Sequence, residues 1–128
     1  MVISRLYNST DIPEWDWQDF APSEIACKCG CGRVLVHTQA MDSLQALRTK
    51  IGKPLRITSG YRCAKWNQQV GGVALSRHRE GEAFDIDLAG HDRDELAAAA
   101  LACGFKGIGK YNTFLHIDVR SIPASWSG

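Results

Sequence analysis

The chain has 128 residues, a length that predicts one compact domain rather than two. Hydrophobic residues make up 45% of it and charged residues 23%, a globular composition that argues against a disordered or fibrous protein. The 15 Lys and Arg residues are scattered and nearly balanced by 14 Asp and Glu residues, so we expect no nucleic-acid partner.

The N-terminal segment, residues 1–26, is predicted to be an irregular arm. It carries acidic residues where a secretory signal peptide would have its apolar stretch, so we expect a chain made in the cytoplasm without a signal peptide. No apolar run approaches the ~18 residues that a membrane span needs. Trp15, Trp17 and Phe20 interrupt an otherwise polar stretch, and we expect their rings to anchor the arm to the body of the domain.

The five cysteines are an odd number, and without an export signal they predict reduced thiols rather than a disulfide framework. Cys27, Cys29 and Cys31 alternate in CKCGCG, which is tighter than the Cys-x-x-Cys pairs of a zinc ribbon, and no second pair follows. We therefore favour a Gly-rich turn with half-buried thiols, and a structural zinc site is the alternative. Cys63 and Cys103 are expected in core or cap positions.

Apolar periodicity predicts two long helices. Apolar residues recur at spacings of three and four over residues 38–51, and Gly52 follows as a stop. Asp92, with Glu95 three residues later, predicts a capping box at the start of an Ala-rich helix over residues 96–103.

Alternation of apolar and polar residues predicts two strands, at residues 83–88 and 114–119. If both strands lie in one antiparallel sheet with helices on the aliphatic side, Asp85 and His116 project from the same uncovered face. These elements predict an α+β fold, in which a small antiparallel sheet has helices packed on one face.

Between these elements, residues 55–58 are predicted to form a short strand that ends in the turn Ser59-Gly60-Tyr61-Arg62. Residues 64–70 are predicted to make two helical turns before a Gly-Gly break.

A histidine and a carboxylate on the exposed face of a sheet contribute nothing to a core, but they suit a metal site. His78 precedes Asp85 by seven residues, and Gly81 between them can adopt the positive φ that turns the chain back toward the strand. Two imidazoles and one carboxylate are typical of catalytic zinc, whose fourth position stays open for water. We predict one Zn²⁺ ion on His78, Asp85 and His116.

The residues around these ligands resemble a known family. SRHREGEAFDIDL is similar to the Ser-x-His-x-x-Gly-x-Ala-x-Asp signature of the zinc D-alanyl-D-alanine carboxypeptidases and their peptidoglycan endopeptidase relatives. Those proteins share a fold with lysostaphin-type peptidases and the hedgehog domain. ITSGYR and FLHIDVR match the flanking blocks of one branch in the same order. The resemblance implies a single zinc peptidase domain over residues 1–128, with a catalytic core at 27–120, that hydrolyses amide bonds in cell-wall stem peptides.

The resemblance also implies roles for single residues. Arg62 and Ser76 match substrate-binding positions, and the planar fork of Arg62 suits a peptide carboxylate or a developing oxyanion. Many family members place Glu or Asp three residues before the last ligand as the general base, but this chain has Thr113 there. Our candidate is Asp118, either as the catalytic base or as a group that orients an imidazole. The lesser candidates are Glu80, Asp87 and His91.

The predicted function is that of a zinc-dependent peptidase, working as a monomer on peptidoglycan stem peptides or cross-links. Small size, free thiols and the missing signal indicate a bacteriophage endolysin or virion-associated hydrolase that acts at the bacterial cell wall after phage-mediated release. Two alternatives stay open. One is a catalytically inactive zinc-fold binding module, suggested by Thr113, and the other is a carboxypeptidase or dipeptidase of small soluble peptides.

Overall fold

The computed structural model describes residues 4–72 and 76–128. The described residues contain strands and helices of the predicted α+β class. The strands are β1 (Ser4–Asn8), β2 (Arg33–His37), β3 (Ile57–Ser59), β4 (Ala83–Asp87), β5 (Gly107–Lys110), β6 (Phe114–Asp118) and β7 (Ala124–Ser127). The helices are α1 (Pro22–Ile25), α2 (Thr38–Ile51), α3 (Ala64–Gln69), α4 (Arg93–Ala102) and a 3-10 helix at Arg77–Glu80.

The main sheet has five strands in the order β3-β4-β6-β5-β7. Neighbouring strands run antiparallel, as predicted, except that β7 lies parallel to β5 at one edge. β1 and β2 form a separate two-stranded antiparallel sheet.

The core lies between the aliphatic face of the main sheet and helices α2 and α4. Phe84 and Ile86 of β4, together with Leu115 and Ile117 of β6, are buried there, so the predicted alternation is confirmed. Burying each such side chain contributes about 1.5–3 kcal/mol to folding. Both helices also supply buried residues, chiefly Ala40, Met41, Leu44 and Leu47 from α2 and Leu96, Ala97, Ala99 and Ala100 from α4.

Helix α2 has the predicted bounds, whereas α4 begins at Arg93, three residues before the predicted start, and ends at Ala102. His37 caps α2, because its Nδ1 accepts a hydrogen bond from the Ala40 amide, and Gly52 ends that helix in the left-handed region. Asp92 caps α4, with its side chain accepting from the Glu95 amide.

The prediction of an irregular arm over residues 1–26 is wrong for β1 and α1, holds for residues 9–21, which form no helix or strand, and cannot be compared at residues 1–3, which lie outside the described residues. β1 pairs along its length with β2, and α1 follows later in the same segment. The residues of β1 are mostly exposed, so the strand carries no burial pattern that a sequence could show. The anchoring role of the rings is confirmed, because Trp17 and Phe20 are buried in the core.

The sequence also did not predict strands β5 and β7. β5 contains Gly107 and Gly109, and glycine is depleted in strands unless a neighbour approaches closely. A Cβ on Gly107 would overlap the Asp118 carboxylate, and one on Gly109 would lie 2.6 Å from the Trp126 ring. Both glycines therefore make room for neighbouring side chains.

The longest of the described helices, α2, has 14 residues. Within residues 4–72 and 76–128, no helix combines the length and apolar character that crossing a membrane requires.

Gly81 turns the chain from the 3-10 helix into β4, with the predicted positive φ of 70°. A Cβ at this position would lie only 2.6 Å from the carbonyl oxygen of Leu35. Gly52 has nearly the same φ, 69°, but has nothing within 4 Å of a Cβ.

These two glycines form a matched test. Gly52→Ala should cost about 1–2 kcal/mol of unfolding free energy, the strain of a left-handed backbone. Gly81→Ala should cost about 2–5 kcal/mol, because the overlap with Leu35 is added to that strain. Urea denaturation of both variants in one buffer measures the difference, and equal losses would contradict the close approach at Gly81.

Candidate metal centre

Three side chains from two strands and the 3-10 helix meet at one point. Asp85 and His116 are directly opposite each other in the antiparallel pair β4–β6, so they project from the same face of the sheet. His78 reaches them from the 3-10 helix just before β4. The Nε2 atom of His78 lies 3.2 Å from Asp85 Oδ1, and the Nδ1 atom of His116 lies 3.1 Å from the same oxygen.

The sequence predicted that this face of the sheet is uncovered, but in the structure the face is covered. Asp85 and His78 are only 7% and 2% exposed, because the 3-10 helix lies over this part of the sheet. Trp126 of β7 covers the His116 ring from the other side, with 5.2 Å between the ring centroids.

The outer nitrogen of each imidazole is fixed by an acceptor. His78 Nδ1 lies 2.8 Å from the Gly60 carbonyl oxygen, and His116 Nε2 lies 2.8 Å from Asp118 Oδ2. Each outer nitrogen must therefore carry the proton, which leaves a neutral imidazole with its lone pair directed at Asp85. Two lone pairs and a carboxylate facing one another need a cation between them.

The donor atoms fit a zinc ion. They all lie within 4.8 Å of one another, and a tetrahedron with bonds of 2.0–2.1 Å has edges of about 3.3 Å, close to the contacts of Asp85 with the two histidines. Three protein ligands leave one position open, which is typical of a catalytic rather than a structural zinc site.

Without a metal, a proton supplies the missing cation. Burial lowers the pKa of His116, but its hydrogen bonds to Asp118 and Asp85 outweigh burial and raise the pKa above its ordinary value. Burial likewise raises the pKa of Asp85, and its bonds to His116 and His78 overcome this and hold the pKa well below its usual range. At pH values below the raised pKa of His116, a metal ion that binds here displaces a proton from this histidine.

Asp118 is fully buried behind His116. Arg120 donates from Nε to Oδ1 at 2.8 Å and from Nη2 to Oδ2 at 2.7 Å, so both carboxylate oxygens are engaged. Burial raises the pKa of Asp118, but the bonds from Arg120 and His116 prevail and keep the carboxylate ionised. Of the two roles expected for Asp118, this placement favours the one that orients the imidazole.

A cavity of about 700 Å³ opens over the three ligands. Arg62 and Ser76, the predicted substrate-binding residues, both line it. Arg62 donates to Ser59 Oγ at 2.9 Å and to Asp85 Oδ2 at 3.2 Å, and Ser76 Oγ accepts from the His78 amide at 3.2 Å. The structure therefore brings the predicted ligands and substrate-binding residues into one site.

The lesser candidates for the base lie elsewhere. Glu80, Asp87 and His91 do not line this cavity, and neither does Thr113. Asp87 forms an ion pair with Arg56 instead. Among the described residues that line the cavity, Asp85 is the one carboxylate.

The aromatic wall of the cavity was missed in the sequence. Tyr111 and Phe114 stack with their centroids 4.4 Å apart, and Trp126 Nε1 donates to the Tyr111 hydroxyl at 2.9 Å. The Arg120 guanidinium lies 4.9 Å from the centre of the Trp126 ring, which adds a cation–π contact. A Trp in a short polar segment after β6 was the available signal, but nothing local shows which surface that ring covers.

Two comparisons relate the chain to known peptidases. The sequence model of a family described as Peptidase M15 matches residues 18–118, which include all three ligands. The zinc D-Ala-D-Ala carboxypeptidase of Streptomyces albus G is 39% identical over 69 residues, 53% of this chain and 27% of that protein. The chain thus spans about a quarter of the length of this curated relative.

The role of Asp118 can be tested by Asp118→Asn. This variant loses the charge that holds the proton on His116 Nε2, so zinc affinity at the centre should fall about 10–100-fold. Titration against a competing chelator measures the change. Asp87→Asn is the matched control on the neighbouring strand and should bind zinc as the wild type does; equal affinities in both variants would contradict the orienting role.

Proposed function

The chain belongs to the peptidase M15 family, and from that premise we propose that it is a zinc-dependent peptidase that hydrolyses amide bonds in bacterial peptidoglycan stem peptides or cross-links. One observation carries the proposal. His78, Asp85 and His116 converge with their lone pairs on one point at the floor of an open cavity.

His78, Asp85 and His116 would hold one zinc ion in this cavity. When bound, zinc supplies a Lewis acid for the scissile carbonyl and lowers the pKa of water toward roughly 7. Gly60 and Asp118 keep the two imidazoles in the tautomers that ligation requires.

The arginines of the cavity wall support a substrate with free carboxylates. Arg62, Arg77 and Arg120 line it, against the single carboxylate of Asp85 among the described lining residues. Each of these arginines is paired, with Asp85, Glu82 and Asp118 respectively, so the wall offers oriented guanidinium groups rather than a net positive charge. Guanidinium groups bind carboxylates well, and cell-wall stem peptides carry free carboxylates.

Arg62 and Ser76 have distinct tasks in this proposal. Arg62 donates from Nε to Ser59, from Nη2 to Asp85 and, at 3.4 Å, from Nη1 to Asn67, so its planar guanidinium is oriented before substrate arrives. It binds the substrate carboxylate or the oxyanion that develops during hydrolysis. Ser76, at the start of the 3-10 helix, lines the cavity as a second polar contact for the peptide.

The aromatic wall restricts water around the reacting amide. Tyr111, Phe114 and Trp126 form one side of the cavity, and their contacts with one another keep the rings in place. A drier site strengthens the electrostatic interactions of the substrate with Arg62.

The cellular setting follows from the same proposal. None of the five cysteines is in a disulfide bond, which suits folding in a reducing cytoplasm. We propose that the protein is a monomeric phage endolysin or virion-associated hydrolase that reaches the cell wall after phage-mediated release.

One observation favours a second candidate function, a binding module that holds zinc and peptide without cleaving. Asp85 is the one carboxylate among the described residues of the cavity wall, and Thr113 stands where many members of the resembled family carry an acid. Both candidates use the same cavity and differ in turnover.

A muropeptide digest separates the two functions. The zinc-loaded protein should release products that mass spectrometry identifies, and His116→Ala should abolish them because one ligand is lost. His91→Ala, a histidine outside the cavity, should keep full activity. Absence of products with any divalent metal would refute the peptidase and favour the binding module.

The role of Arg62 is tested by Arg62→Lys, which keeps the positive charge but replaces the planar guanidinium group by an ammonium group. We expect kcat/KM for peptides with a free carboxylate to fall about 10–100-fold, the value of a charge-assisted bidentate contact. Arg56→Lys, an exposed arginine paired with Asp87, is the matched control and should change little. Equal kcat/KM values for Arg62→Lys and the wild type would contradict substrate binding by the guanidinium group.

A further inference from the structure

Outside the metal centre, four of the five cysteines bring their sulfur atoms together. The Sγ atoms of Cys27, Cys29, Cys31 and Cys63 all lie within 4.8 Å of one another. Three of the separations are 3.4 Å for Cys27–Cys29, 3.7 Å for Cys27–Cys63 and 3.8 Å for Cys29–Cys63. A disulfide bond is about 2.0 Å long, so these are separate thiols in contact around a common point.

This cluster corrects the expectation of a simple Gly-rich turn. Cys27, Cys29 and Cys31 do lie in a turn, but the fourth thiol comes from Cys63, at the N-terminus of α3. Cys63 also caps that helix, as expected, because its Sγ accepts from the Trp66 amide. The sequence could not show the fourth member, since it follows Cys31 by 32 residues.

The separations match the edges of a tetrahedron around one ion. Four thiolates bound to zinc at about 2.3 Å stand about 3.8 Å apart. We propose that Cys27, Cys29, Cys31 and Cys63 bind a second zinc ion, which is structural. An iron–sulfur cluster would hold its cysteines further apart, because several atoms lie between their sulfurs.

Three of the four sulfurs accept a hydrogen bond from a backbone amide. The amide of Cys63 donates to the sulfur of Cys27, that of Cys31 to Cys29, and that of Trp66 to Cys63, each at 3.4 Å. Arg33 brings a positive charge close to Cys31. Amide donors directed at sulfur stabilise thiolates, which are the form that binds metal.

Four protein ligands close the coordination shell, so this site has no position for substrate or attacking water. None of the four cysteines lines the cavity over His78, Asp85 and His116. The second zinc site therefore takes no direct part in the proposed reaction, and either site can bind its ion without the other.

The ion would fix the segment that supports the metal centre. Cys63 directly follows Arg62. Gly60 lies two residues before Arg62, and its carbonyl oxygen fixes the ring of His78. The same segment is also bonded to the chain just before the cysteine turn. The Tyr61 amide donates to the carbonyl oxygen of Ile25 at 2.9 Å, and Ile25 lies two residues before Cys27. Zinc would thus join the turn after α1 to the start of α3 and hold Arg62 in place.

Counting metal ions tests the proposal on the full chain, expressed with zinc and purified without chelators. The wild type should contain two zinc ions by elemental mass spectrometry, His116→Ala one, Cys29→Ser one, and the double variant none. Cys103→Ser is the matched control, because Cys103 lies outside the cluster, and it should retain two. Cys29 is exposed, so its replacement disturbs packing least.

Cobalt substitution of the wild-type protein provides a measurement that does not depend on folding of a cysteine variant. Cobalt in four thiolates gives intense sulfur-to-metal charge-transfer absorption, which should appear in the wild type. The same absorption should persist in His116→Ala and disappear in Cys29→Ser. Loss of the cluster ion should also lower the melting temperature by about 10 °C or more. One zinc ion in the wild type that Cys29→Ser leaves unchanged, iron in place of zinc, or disulfides among these cysteines would overturn the proposal.

Discussion

The register between β4 and β6 is the constraint on which the metal centre depends. Asp85 stands directly opposite His116, and a slip of one residue would place an aliphatic side chain at that point and a polar one in the core. The register is fixed from the other face of the sheet, where Phe84, Ile86 and Ile117 are buried. Hydrophobic packing on one face thus sets the geometry of ligands on the other.

Sequence reasoning succeeded where a periodic pattern or a close spacing carries the information. The helix over 38–51, the alternating strands and the meeting of Asp85 with His116 all follow from such patterns. It failed for β1, whose residues are exposed, and for β5, whose glycines mark the approach of neighbours rather than a strand. Cys63 and Trp126 reach their sites through tertiary contacts, which no local pattern encodes.

The environment of a residue also bears on roles that its identity leaves open. Asp118 has two candidate roles, and its burial against Arg120 and His116 favours the one that orients the imidazole. A sequence shows that a carboxylate stands two residues after a histidine. It does not show whether that carboxylate faces solvent or a guanidinium, and this difference separates a group that exchanges protons with substrate from one that holds a ligand in place.

The close contact between Gly109 and Trp126 determines the position of one wall of the cavity. The indole lies against the backbone of Gly109, where a Cβ would stand 2.6 Å from the ring, and the same indole packs on His116 and Arg120. A methyl group at position 109 would overlap the ring, so Trp126 would have to move away from its place against His116. The shape of the cavity and the packing of a candidate metal ligand are therefore coupled at Gly109, because one indole ring serves both.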